Sequence, residues 1–155
     1  MTKKIVSLLA LCACTPSGTG VGDMSRANSL ADTVSFAWSA ESSQTGHISA
    51  KLPAGETFAG TYIQVTKDLT YSSLKPMWVD WDEGWSSWPE LDANGNTEFL
   101  KHYTRRVVAT LRSSEGRRMR CRFRLNSIFE GMSGGGYGEC EISTGRHIDA
   151  EFPPT

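Results

Sequence analysis

The sequence predicts an all-β chain, an antiparallel meander that closes into a small barrel or sandwich and carries a Trp-rich insertion. Two observations predict it. From Thr33 onward apolar residues recur at every second position, the period of a strand with one buried face. Turn signals then break that alternation about every 8–12 residues, as in sandwiches and small barrels.

The elements follow in order. Val34, Phe36 and Trp38 alternate with Ser35 and Ala37, and Ile48, Ala50 and Leu52 alternate with Ser49 and Lys51. Pro53-Ala54-Gly55-Glu56 is a turn, and Thr57-Phe58 opens a strand running towards Val65. Val107 to Leu111 is a strand, Arg112 to Gly116 a turn, and Met119 to Leu125 another strand. Gly136 to Ser143, Thr144-Gly145 and Arg146 to Phe152 make a last hairpin. A short echo supports a meander: Gly46 to Leu52 and Gly138 to Ile142 each lead from a Gly through a strand to a Gly-containing turn.

Residues 67–103 break the pattern. They hold Trp78, Trp81, Trp85 and Trp88, at spacings of three, four and three. That spacing would line one face of a helix, but Gly84 interrupts the run and Pro89 ends it, so a loop or at most a short helix is expected. The four rings are the candidate binding surface, as a sugar-stacking platform or a contact with a membrane interface. The competing reading is that they plug one end of the barrel as core.

The chain opens with Lys3 and Lys4 and the apolar run Ile5-Val6-Ser7-Leu8-Leu9-Ala10-Leu11, the pattern of a signal peptide. As a helix, Ile5 to Ala13 would span about 14 Å, half the roughly 30 Å of a bilayer core. The run ends Leu11-Cys12-Ala13-Cys14, which resembles the bacterial lipobox of Leu, two small residues and Cys; Cys12 departs mildly from its usual Ser, Thr or Ala. The resemblance implies diacylglycerol transfer to the Cys14 thiol, cleavage after residue 13 and acylation of the new amine. Each buried CH₂ contributes about 0.8 kcal/mol, so several chains hold firmly where one is marginal. Thr15 stands where Asp would favour inner-membrane retention in enterobacterial lipoproteins. The resemblance therefore implies a cell-envelope protein, in the outer membrane if the organism is Gram-negative.

Cysteine arithmetic follows from that processing. Cys12 leaves with the leader and Cys14 takes the lipid, so Cys121 and Cys140 are left as an even pair in an oxidising compartment, where a disulfide is expected. Losing Lys3 and Lys4 from sixteen cations leaves fourteen against seventeen acids, formally −3. No global basicity points to nucleic acid.

The domain plan is a signal peptide over 1–13, a lipidated N-terminus with a flexible tether over 14–32, and one β-domain over 33–155 with its insertion at about 67–103. The tether reading rests on the polar, Gly/Ser-rich stretch from Thr15 to Asp32, whose r.m.s. reach would be about 23 Å.

Strand 118–125 carries the clearest candidate surface. Met119, Cys121, Phe123 and Leu125 share one face and Arg118, Arg120, Arg122 and Arg124 the other, spaced about 6.6–6.8 Å apart. The stripe reads as an anion-binding ridge or as half of an ion-pair ladder. If Cys121 lies opposite Cys140 on an antiparallel neighbour, Arg120 faces Glu141, Arg122 faces Glu139 and Arg124 faces Tyr137. The ladder is the preferred expectation.

Other motifs carry less. Asp92-Ala93-Asn94-Gly95-Asn96-Thr97-Glu98 puts Thr97 and Tyr103 where a calcium loop needs Gly and Glu. Gly131-Met132-Ser133-Gly134-Gly135 fits G-x-S-x-G, but a strand follows where the nucleophile elbow needs a helix. His47, His102 and His147 lack metal-ligand spacing. No catalytic residue, metal or cofactor is assigned.

The segment Met119 to Phe123, the Gly131 to Gly136 run, Gly138-Glu139-Cys140 and Ile148 to Phe152 are similar to small uncharacterised proteobacterial lipoproteins. That similarity implies a fold and no activity. The expected function is a non-enzymatic envelope lipoprotein with the membrane and an envelope protein or glycan as partners. The alternatives are a hydrolase of an envelope polymer, using Asp80, Asp82 or His102, and a lipid-binding barrel. The last needs an apolar cavity, which a core of Phe36, Trp38, Phe58, Phe123 and Phe152 would forbid.

Overall fold

A computed structural model describes residues 14–25, 32–66 and 105–155. Its strands are β1 (Ser17–Met24), β2 (Asp32–Ala40), β3 (Thr45–Lys51), β4 (Thr57–Gln64), β5 (Arg106–Ser113), β6 (Arg118–Leu125), β7 (Gly136–Ile142) and β8 (His147–Phe152), with a short 3-10 turn at Gly131–Gly134. Each strand pairs antiparallel with the next, and β1 pairs with β8 to close the barrel. Closure satisfies both edges of the sheet.

The alternating residues fill the interior. Val34, Phe36 and Trp38 of β2, Ile48 and Ala50 of β3, and Phe58 and Tyr62 of β4 are buried. Met119, Cys121 and Phe123 face them from β6, and Ile148, Ala150 and Phe152 from β8. Phe36, Phe123 and Phe152 meet as a ring cluster with centroids 4.8–6.5 Å apart. Edge-to-face contacts of this kind add to the area they bury. With Phe36, Trp38, Phe58, Phe123 and Phe152 all in the core, side chains occupy the space a carried lipid would need.

The Gly-rich stretch is a correction. Ser17–Met24, expected to be flexible tether, is a full strand paired with β2 from Ser17↔Ser39 to Met24↔Asp32 and with β8 from Val21↔Glu151 to Met24↔Ile148. The domain therefore begins at Ser17 and not at residue 33. Its inward positions are Gly18, Gly20, Gly22 and, at its end, Met24. A Cβ on Gly20 would lie 2.5 Å from the Phe152 ring, and one on Gly22 2.7 Å from the Ile148 side chain. These glycines make room for large residues on neighbouring strands, which is why β1 shows no apolar alternation of its own.

The hairpins β3–β4, β5–β6 and β7–β8 share one turn geometry. Leu52, Ser113 and Ile142 each donate their N–H to the carbonyl four residues on, while Gly55, Gly116 and Gly145 donate back to those same residues. Each of these glycines has φ between 81° and 91°. A side chain there would force an L residue into the left-handed region. The echo in the sequence is thus a repeated turn.

An up-and-down meander sends alternate connections to opposite ends. These three turns, the end of β1 at Met24 and the start of β2 at Asp32 lie at one end. The entry at Pro16, the 41–44 loop, the departure after Thr66, the return at Arg105, the 126–135 loop and the C-terminus lie at the other.

Candidate functional site

The β6–β7 register matches the expected ladder. Cys121 lies opposite Cys140, Arg120 opposite Glu141, Arg122 opposite Glu139 and Arg124 opposite Tyr137. Cys121 and Cys140 form a disulfide inside the barrel with Cα atoms 4.0 Å apart. Both sulfur-bearing residues are fully buried.

The arginine stripe faces outward, and acids take its two central members. Arg122 donates its Nε–H to Glu139 Oε1 at 2.6 Å. Arg120 Nη2 lies 3.6 Å from Glu141 Oε2, and both side chains are about 95% buried, at 5% and 6% exposure. His147 Nε2 stands 4.0 Å from the other Glu141 oxygen. At the far end of the stripe, Arg124 is exposed beside Tyr137. This arrangement is a charge ladder along a wall and not a free anion ridge.

Burial separates the two ion pairs energetically. Arg120 keeps other interactions when Glu141 is removed, but it loses a buried charged partner. Glu141→Ala is expected to cost about 2 kcal/mol. Glu139→Ala, at 36% exposure, is expected to cost less than about 1 kcal/mol because water screens the pair. Urea denaturation of both variants tests the ranking, and equal losses would refute it.

Ser133 lies in the 3-10 turn, between Gly131 and Gly135 with φ of 58° and 73°. Its N–H donates to the Glu130 carbonyl, and its own carbonyl accepts from Thr155 N–H at 3.0 Å. The turn caps the barrel mouth with buried Met132 and leads directly into β7. The geometry is that of a plug and not of a nucleophile elbow.

His47 Nε2 is 2.8 Å from Glu41 Oε1 on the surface. Inside, Tyr62 is buried over Gly46, and that burial, with the Glu41 charge adding, raises its phenol above the ordinary 10.0. No group of three or more His, Cys, Asp or Glu able to hold a metal occurs among the described residues. Trp78, Trp81, Trp85 and Trp88, with Asp80, Asp82, His102 and the 92–98 loop, lie outside the described residues.

Cys14 is exposed and precedes β1 by three residues. Pro16 is already held, because its carbonyl accepts the Ala40 N–H at 2.8 Å. Sequence reasoning missed this placement, since it assigned the intervening stretch to a tether. The period-2 spacing of Gly18, Gly20 and Gly22 was the available signal.

Comparison with known proteins assigns the chain to no family. No family model and no curated protein matches the chain. A redesigned β-barrel, mFAP1, bound to DFHBI shares 13% identity over 88% of this chain and 92% of that one, with a TM-score of 0.46. A de novo designed fluorescence-activating β-barrel shares 10% identity over 89% of this chain and 92% of that one, with a TM-score of 0.45.

Proposed function

We propose that this protein is a membrane-anchored envelope lipoprotein whose barrel is a non-enzymatic binding or structural module for an envelope protein or glycan. The observation that carries the reading is the lipobox-like Leu11-Cys12-Ala13-Cys14 ending at an exposed cysteine just before the first strand. A thiol in that position is open to an acylating enzyme and lies outside the hydrogen-bonded barrel. The disulfide fits an oxidising compartment. The filled interior directs recognition to the outer wall and the loops.

Cys14→Ser tests the anchor. The variant is expected to lose all acyl mass and to move from the membrane fraction to the soluble one. Its unfolding midpoint should not change, because Cys14 is exposed and lies outside the core. Mass spectrometry of the native N-terminus checks the first expectation. An unmodified, full-length N-terminus on the wild-type protein would overturn the reading.

A further inference from the structure

The two barrel ends differ in chemistry among the described residues. Among the described residues the exposed large hydrophobics are Val21, Phe129 and Tyr137, and Phe129 is 94% exposed. Phe129 sits in the 126–135 loop, at the same end as Cys14. Tyr137, at 54% exposure, is the second residue of β7, counted from that end. The three glycine turns at the opposite end offer Pro53-Ala54, Ser114-Glu115 and Ser143-Thr144, with no large apolar side chain.

Hydrogen bonds within the loop and from β4 hold Phe129 outward. Gln64 donates to the Ile128 carbonyl at 2.9 Å, Asn126 N–H to the Gly135 carbonyl at 3.0 Å, and Glu130 N–H to Ser127 Oγ at 3.3 Å. A shallow depression beside Phe129 is lined by Arg105 and Arg124, both exposed. Neither arginine forms an ion pair among the described residues. The acids around this end are Glu130, exposed next to Phe129, Glu41, engaged with His47, Glu139, paired with Arg122, and on β8 Asp149 and Glu151, the latter opposite Tyr137.

We infer that the barrel end carrying Cys14 rests directly on the phospholipid surface, with Phe129 at headgroup depth and Arg105 and Arg124 facing lipid phosphates. The inference depends on the acylation proposed above. Three residue steps from Ser17 to Cys14 reach at most about 11 Å, and Pro16 is pinned to β2. An acylated Cys14 therefore cannot lift the domain clear of the bilayer, so this end must meet the headgroups. Aromatic rings favour that interface, and cations favour anionic lipid.

The test uses the full acylated protein in vesicles of phosphatidylethanolamine and phosphatidylglycerol. Flotation reports the anchor, and hydrogen exchange reports the pose. Amides 127–130 should exchange roughly tenfold more slowly on vesicles than in the unacylated Cys14→Ser protein, while amides 54–56 and 114–117 stay unchanged. Phe129→Glu should float normally and lose most of the slowing. Its side chain is almost wholly exposed, so folding is spared. Flotation without slowing at 127–130 would overturn the pose and leave the anchor standing. Failure to float would remove the anchor and the pose with it. Slowing that appears in lipid-free Cys14→Ser and grows with protein concentration would assign this end to a second copy of the chain instead.

Discussion

Deleting Ser17–Met24 is expected to abolish cooperative folding. A disposable linker could be removed with a change of a few tenths of a kcal/mol, since loop entropy varies slowly with length. β1 instead closes the barrel, with a full ladder to β2 and a second ladder to β8. Its loss would leave β2 and β8 as long unpaired edges and would open Phe36, Ile148 and Phe152 to water. Stabilities of domains this size are about 5–15 kcal/mol, so losing one strand of a closed sheet exceeds what the rest can absorb. Gly20→Val is the graded version. Its side chain would have to displace Phe152 and the Glu151 carbonyl, and it is expected to cost about 3 kcal/mol. Thermal unfolding followed by circular dichroism measures both. A deletion variant with a full-size cooperative transition would return residues 17–24 to the status of tether.

Reducing the Cys121–Cys140 bridge is expected to lower stability by roughly 3 kcal/mol, from the chain-entropy estimate for a loop of its size. The two residues are nineteen apart in sequence. Reduction leaves both sulfurs in the core, so the effect isolates the constraint on the unfolded chain. The double variant Cys121→Ala/Cys140→Ala should lose somewhat more, because buried volume goes as well. Urea denaturation with and without reductant gives the difference. A change below about 1 kcal/mol would mean that the paired β6–β7 ladder already restrains the denatured ensemble.

The legible parts of the sequence share a physical reason. On strands with one apolar face, the residue identities report the face, because alternation and burial have the same period. The β6–β7 register was legible for a second reason. Opposing cysteines and two Arg–Glu pairs satisfy one alignment together, and a slip by one residue would send the cysteines to opposite faces. The repeated glycine turns were legible as turns, although their shared hydrogen bonding was not. The four tryptophans of the candidate surface lie outside the described residues.

By itself the sequence determined the all-β class, the faces of the strands at 34–38, 48–52 and 119–125, the bridge partners and the ladder of charges that runs beside them. Each of these depends on which side chain must avoid water or meet an opposite charge. Only the tertiary structure decided that the sheet closes, that β1 closes it, and that Cys14 and Phe129 share one end. Gly18, Gly20 and Gly22 have no side chain to reveal their face. Their place is assigned by Trp38, Phe152, Phe36 and Ile148 reaching into the space they leave, a contact between residues far apart in the chain.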